Sequence, residues 1–484
     1  MNMLKYKNSK FLIGTILFIF ILNIFIKSIG ITTNCISLDE PFSIFYSQMS
    51  VKDIVNELIK GNNPPLWEII LHFWIKIFGS GKFSVRFLPM LFSSFTAIYI
   101  FLIGKRFFNY KTGLTAALLF SFSNYHLFFS HEARIYPLFC LLTTMSMYHF
   151  LTFLKYPKQQ IHLIAFTLCN IVVCYAHYFG FFLLFTQLLC TLFYLKLDRR
   201  IVYSYILSLF IFLIAYLPIV KVYISRLFVS VNQGTWLSSV KGDSWFFLLA
   251  SWTNNRINLI IFLIFVVVSL IFLMRKLTRN YESNIFSTIV FSWFWIPFLL
   301  MYFISFRVPM FLDRYLIYIS PAFYLIIPLS LRFLPLNSRL QKITLVIFIS
   351  LMLISFKFNI SNHRDIDRIA EKVKEIKANT NAEIYLCPPW TDLNFMYYYD
   401  NNLFSKPYSF AQSLNKNGIF PIYNFEGLRN ETLTKKKSLI YIDFNSTFVF
   451  PENTILNVLR KNYAKCDSFP FLSGFKVYHF KNIE

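Results

Sequence analysis

Charge is scarce in this chain: only 14% of its 484 residues are Asp, Glu, Lys or Arg, while 56% are hydrophobic and the mean hydropathy is +0.53. A soluble domain carries about a quarter charged residues, so a water-soluble globular class is excluded. Acids are scarcer still, 23 against 47 Lys and Arg. The net charge of +24 would suit nucleic acid if the cations formed one face, but they gather in short clusters between apolar runs. No GxGxxG or phosphate-cradling P-loop occurs, so nothing marks a soluble nucleotide-binding domain. The seven cysteines contain no CxxC and no metal-ligand spacing. Cys140, Cys169, Cys174 and Cys190 lie inside apolar segments. Cys387 and Cys466, in the polar tail, could join only in an oxidising compartment. No small-residue cleavage site follows the first apolar run, 11–26, so Lys5, Lys7 and Lys10 introduce a retained span rather than a cleaved signal.

What is present is a succession of apolar runs. A helix crossing roughly 30 Å of hydrocarbon needs about 20 mostly apolar residues, and such windows fall at 11–29, 87–104, 112–130, 135–154, 161–177, 179–195, 201–220, 257–274, 285–305, 315–333 and 343–357. Basic residues near span ends stay in the cytoplasm. The clusters Lys105/Arg106/Lys111, Lys155/Lys158, Lys196/Arg199/Arg200, Arg275/Lys276/Arg279 and Arg332/Arg339/Lys342 follow every even-numbered window. The N-terminus agrees with them. The sequence therefore predicts a multi-pass α-helical membrane protein of about 11 transmembrane helices, with the N-terminus inside and the C-terminal tail outside.

The acids tell a second story. Residues 1–357 hold ten: Asp39, Glu40, Asp53, Glu57, Glu68, Glu132, Asp198, Asp243, Glu282 and Asp313. This topology puts all but Asp198 and Glu282 outside. Either acids settle where lysines are excluded, or an external site needs carboxylates. The first outer loop, 30–86, is long. It opens with "SLDEPFSIF" and continues through an amphipathic stretch with Val51, Ile54, Val55, Leu58 and Ile59 at helical spacing. After Pro64-Pro65 an apolar segment of about 13 residues, 66–78, is too short to span and reads as an interfacial helix. The other outer segments are "SHEARIYP", "AHYFG", a loop from about 221 to 256, and "FRVPMFLDRYL". Glu132, Arg134, His177, Arg314 and Tyr315 stand at span ends on this one side, where charges are costly unless paired or useful.

The acidic pair after the first span, the Pro-Pro-Leu-aromatic element, "EARIYPL", "AHYFG" and "DRYLIYISPA" together resemble the GT-C superfamily of membrane glycosyltransferases. The likeness is to its family 39-like branch of protein O-mannosyltransferases and the lipid A aminoarabinose transferase. The resemblance spans about 360 residues and implies sugar transfer, with inversion, from a polyprenyl-phosphate donor to an acceptor hydroxyl. It implies that Asp39, with Glu40 beside it, activates the acceptor, and that Arg314 and Arg134, with Tyr315, hold the lipid phosphate. Glu132, His177, Trp236 and Asn63 are then the expected substrate contacts, Trp236 lying in a "GTWL" element similar to one in the same branch. Family members carry a charged residue or His before the Pro-Pro, where this chain has Asn62-Asn63. No metal is required, although Asp39 and Glu132 leave room for a divalent ion beside the phosphate. The expected partners are the lipid-linked donor, a glycan, lipid or protein acceptor, and the bilayer of a bacterial inner membrane. The chemistry suits the residues themselves. A partly solvated Asp can serve as base to a hydroxyl, and a guanidinium fork matches a departing phosphate.

From residue 358 the composition turns polar, with 13 of the 23 acids. "RDIDRIAEKVKEI" and "PENTILNVLRKNY" read as helices, "AEIYLCPP" and "SLIYIDF" as buried strands, and "FPFLSGFKVYHF" as a closing strand pair or bent strand. Residues 358–484 are thus expected to form a small α/β domain outside, after a transmembrane domain of residues 1–357. Two other classes compete. A transporter or lipid flippase would show internal repeats and midplane acids, and neither is evident. A polysaccharide polymerase or ligase would gather its arginines in one late loop, whereas here the acidic pair follows the first span.

Overall fold

The computed structural model describes residues 2–61, 64–193, 198–235, 237–277, 281–362, 364–423 and 437–482. Helices follow one another through the apolar part: α1 (Asn2–Ser28), α2 (Glu40–Tyr46), α3 (Val51–Leu58), α4 (Leu66–Phe78), α5 (Lys82–Phe107), α6 (Tyr110–Ser121), α7 (Asn124–Ser130), α8 (Tyr136–Lys155), α9 (Gln160–Ala176), α10 (Gly180–Leu192), α11 (Arg199–Gln233), α12 (Ser244–Trp252), α13 (Arg256–Leu277), α14 (Tyr281–Ile304), α15 (Ser320–Ser330) and α16 (Ser338–Ile354). Polar side chains set their starts. Asn109 accepts from the Thr112 N–H at 2.8 Å to open α6, and Asn337 accepts from Arg339 and Leu340 to open α16.

Among the described residues, five helices are long and apolar enough to cross a bilayer: Ser9–Ser28, Lys82–Phe107, Tyr136–Lys155, Arg199–Gln233 and Asn284–Ile304. A sixth crossing results if α12 and α13, bent by 97° at their break, count as one. Three expected windows are instead shorter apolar helices, Gln160–Ala176, Gly180–Leu192 and Ile317–Ser330. The window at 112–130 is broken, because Ser123 is extended between α6 and α7. The expected loop after residue 220 is also different: α11, 35 residues long, runs on through Pro218 to Gln233, and α12 follows in the same stretch.

The chain divides into two compact units, Met1–Gly30, Val55–Trp67 and Arg86–Ile360 in one, Ile31–Ile54, Glu68–Val85 and Ser361–Glu484 in the other. Within the first, a closed polar triangle ties three helices. Ser146 donates to the Asn170 oxygen at 2.6 Å, Asn170 to the Gln187 oxygen at 2.7 Å, and Gln187 back to Ser146 at 2.8 Å. In an apolar surrounding such groups must satisfy one another. At another contact α5 and α6 meet through glycines: a Cβ on Gly104 would overlap the Gly113 backbone, and the reverse holds.

In the second unit, α17 (Ile366–Ala378) buries Ile366, Ile369, Ala370, Val373 and Ile376 on one stripe. After it come α18 (Asp392–Tyr399), α19 (Asn401–Phe404), α20 (Phe410–Lys416) and α21 (Thr454–Asn462), with strands β1 (Glu383–Cys387), β2 (Ile419–Pro421), β3 (Ser438–Asp443), β4 (Lys465–Pro470) and β5 (Lys476–Lys481). The sheet order is β2-β1-β3-β5-β4. β1 runs parallel to β2 and β3, and β5 antiparallel to β3 and β4. Leu439 and Tyr441 pack against Ile455, Leu456 and Leu459 of α21. Ile440 and Ile442 alternate to the other face and are buried as well, so both faces are covered. Cys387 on β1 and Cys466 on β4 are both free. β3 and β5 stand between their strands, so the pairing weighed from sequence does not form.

Gly113→Val should push α5 from α6 at a cost of at least about 1–3 kcal/mol, read as a lower unfolding midpoint in detergent. Gly14→Ala, with open space around its Cβ position, should leave that midpoint unchanged or slightly higher.

Candidate active site

The acidic pair lies in the second unit. Leu38 takes a left-handed conformation with φ 58°, and Asp39 then caps α2 with φ −87° and ψ −7°, its side chain making no cap hydrogen bond. The half-buried Asp39 and its neighbour differ in setting. Glu40 is 2% exposed and accepts from the Ser37 N–H at 3.3 Å, which occupies it locally. α2 is fastened to α4 by two buried side chains. Ser43 donates to the Glu68 carboxylate at 2.7 Å, and His72 Nδ1 donates to the Ser47 carbonyl at 2.8 Å. Neither Glu68 nor His72 was singled out from sequence. Their spacing of four residues, one helical turn on α4, was the available signal.

The basic and aromatic residues gather in the first unit. Arg134, 4% exposed, ends the tight turn between α7 and α8, where its N–H bonds the Glu132 carbonyl at 2.7 Å. Arg314 lies in the 3-10 turn Asp313–Tyr315, with its guanidinium carbon 5.8 Å from the ring centres of Tyr136 and Tyr315. That turn is anchored by Tyr125, whose hydroxyl donates to the Asp313 carbonyl at 2.7 Å. His177, just past α9, has its ring centre 4.9 Å from Phe139, 5.1 Å from Phe179 and 5.4 Å from Tyr315. Both Arg134 and Arg314 act electrostatically on its imidazole. His177 Nδ1 accepts the Phe179 N–H at 3.3 Å, so the ring proton sits on Nε2. That Nε2–H is buried and meets no partner among the described residues. The Arg314 guanidinium and the His177 ring thus both meet the Tyr315 ring, and the buried Arg134 lies in the same unit. Glu132 is half-buried in the same turn. Asn63 and Trp236 lie outside the described residues. No group of three or more His, Cys, Asp or Glu side chains able to hold a metal gathers among the described residues.

Three residues that brace the Arg134 turn escaped the sequence reading. His131 Nε2 donates to the Lys27 carbonyl at the end of α1, at 2.6 Å. The Trp67 indole donates to the Ala133 carbonyl at 3.0 Å. Lys27 is itself fully buried. Its ammonium donates to Asn23 at 2.7 Å and Ser93 at 2.8 Å and lies 5.0 Å from the Phe120 ring centre. Apart from Asn23, one turn before Lys27 on α1, the hydrogen-bond partners are 66 to 104 positions apart, beyond any local pattern.

Burial pushes the His131 imidazole down from 6.5 to about 4, partly countered by its bond to Lys27 and reinforced by Arg86 and Lys27. A folded-state value below the unfolded one means that the contribution is fully present above pH 6.5. It is lost as pH falls toward 4. Its size is about 3 kcal/mol. Unfolding midpoints measured across that window should fall with pH, and His131→Gln should flatten the slope.

The residues 62–224 match the model of a family described as dolichyl-phosphate-mannose-protein mannosyltransferase. No curated protein sequence matches the chain. Among solved structures the chain is similar to ArnT from Cupriavidus metallidurans bound to undecaprenyl phosphate, with a TM-score of 0.59 and 11% identity over 97% of both chains. It is also similar to the archaeal oligosaccharyltransferase AglB from Archaeoglobus fulgidus, in complex with an inhibitory peptide and a dolichol-phosphate. There the TM-score is 0.54 and the identity 10%, over 97% of this chain and 74% of that one. The chain thus shares the fold of these membrane glycosyltransferases, the GT-C fold, and the family match lies within it at residues 62–224.

Proposed function

We propose that this protein transfers a sugar from a polyprenyl-phosphate donor to an acceptor hydroxyl at the non-cytoplasmic face of the membrane, with inversion. The observation that carries the reading is the buried His177 Nε2–H, unpartnered among the described residues, beside the Tyr315 ring that Arg314 also meets. The lipid phosphates bound to ArnT and AglB support it by analogy, as does the family match. Eleven crossings, the cytoplasmic N-terminus, the extracytoplasmic segment 358–484 and an inner-membrane location belong to the same proposal. They are supported by the alternation of basic loops.

In the proposed reaction the acceptor oxygen attacks the anomeric carbon while its proton passes to the Asp39 carboxylate. The bond from that carbon to the phosphate oxygen breaks on the opposite side, which inverts the configuration. The electron pair leaves with the polyprenyl phosphate. The charge it gains is met by Arg134 and Arg314, with His177 donating a hydrogen bond. Fixed donors in a water-poor site stabilise such charge without reorganising. Tyr315 holds the Arg314 side chain by its ring face. Glu132, Asn63 and Trp236 are assigned to the sugar or acceptor. The family match and the fold favour transfer over transport.

In membranes supplied with labelled polyprenyl-phosphate sugars, Asp39→Asn should lower transfer about 10²–10⁴-fold, the range for loss of a general base, while the protein still inserts. Arg314→Ala should lower kcat/KM for the donor about 10²–10³-fold and leave acceptor preference unchanged. Full activity of purified Asp39→Asn would remove that residue from the mechanism, and an unaltered donor dependence in Arg314→Ala would remove the arginine.

A further inference from the structure

The loop that carries Asp39 is bonded to a distant part of its own unit. Leu38 sits at φ 58°, a conformation that costs a branched L-residue about 1–2 kcal/mol. Residues 34–38 meet partners from the distant C-terminal segment of the same unit. Asn394 of α18 donates its amide to the Leu38 carbonyl at 3.1 Å. The phenol of Tyr398, one turn further along α18, accepts the Ile36 N–H. Asn362, ahead of α17, donates to the Cys35 carbonyl and to Ser37 Oγ, both at 3.2 Å, and its own N–H bonds Asn34 Oδ1 at 3.1 Å. Every residue from 34 to 38 is thus met by one of three side chains or backbones that lie 325 to 362 positions away. Asn394 is only 8% exposed. A buried amide lowers stability unless bonded, and among the described residues its donor contact goes to the residue just before Asp39.

We propose that Asn394 and Tyr398, with Asn362, are positioning residues for Asp39, and that the C-terminal α/β segment is thereby part of the reaction centre. The inference rests on the assignment of Asp39 made above. The strained Leu38 fixes the direction in which the chain enters α2, and Asp39 is the first residue to inherit it. Without the Asn394 bond the Leu38 carbonyl can rotate, and the Asp39 carboxylate moves with the peptide plane. A displacement of about 1 Å can cost 10²-fold in a reaction that depends on alignment.

The test uses the full-length protein. Asn394→Ala and Tyr398→Phe should each reduce kcat at least about tenfold while the donor KM and the unfolding midpoint stay near those of the parent. In an Asp39→Asn background the same substitutions should cause no further loss, because their effect passes through that carboxylate. Amide exchange at residues 36–39 should speed up in both variants. Unchanged kcat, or an equal proportional loss with and without Asp39, would overturn the proposal. Should Asp39→Asn itself keep full activity, the functional assignment fails, while exchange at 36–39 still decides whether α18 holds the loop. Exchange at the parent rate in both variants would overturn that as well.

Discussion

A cation removed from water must find compensation nearby, and in this protein that requirement organises the first unit. Arg134 is almost wholly buried. The desolvation of such a group amounts to several kcal/mol, which packing alone does not return. Aromatic faces supply part of the compensation, as with Tyr136 and Tyr315 against Arg314. In the proposed function a lipid phosphate adds to these contacts, and binding of donor and stability of the site become linked.

The braces around that arrangement follow from the same need. The Arg134 turn has only four residues between α7 and α8 in addition to Arg134 itself, and a short turn in apolar surroundings must have its carbonyls and side chains accounted for. His131 reaches the end of α1, and Trp67 reaches the carbonyl of Ala133. Lys27 completes the pattern with two neutral oxygens and a ring face in place of a carboxylate. In the second unit the equivalent effort goes into the acidic loop. There α18, Asn362, Glu68 and His72 hold residues 34–47 from several sides. In each unit the residues assigned to the proposed reaction are held by buried hydrogen bonds, most of them made over long sequence distances.

That division explains what could be read from the sequence. The helix at 66–78, opened by Pro64-Pro65, and the stripe of Ile366, Ile369, Val373 and Ile376 were legible because both depend on local periodicity. So were the strands beginning at Glu383 and Ser438, read as short buried runs, a signal that is local too. Arg134, His177, Arg314 and Tyr315 could be nominated because charge and aromaticity at span ends is itself a signal. The break at Ser123 was not legible, since Phe122 and Ser123 interrupt an apolar run without Pro or Gly. Nor was the continuation of α11 through Pro218 to Gln233. The braces Lys27, His72, His131 and Asn394 were invisible for another reason: their meaning resides in partners that only the fold brings near.

The central claim is that Arg134, Arg314 and His177 hold the phosphate of a polyprenyl lipid. An experimental structure of the protein with polyprenyl phosphate tests this most directly. The account predicts a phosphate oxygen within hydrogen-bonding reach of His177 Nε2, about 2.7–3.2 Å, with both guanidinium groups against the remaining oxygens. A phosphate bound elsewhere, with His177 Nε2 still lacking an acceptor, would contradict it.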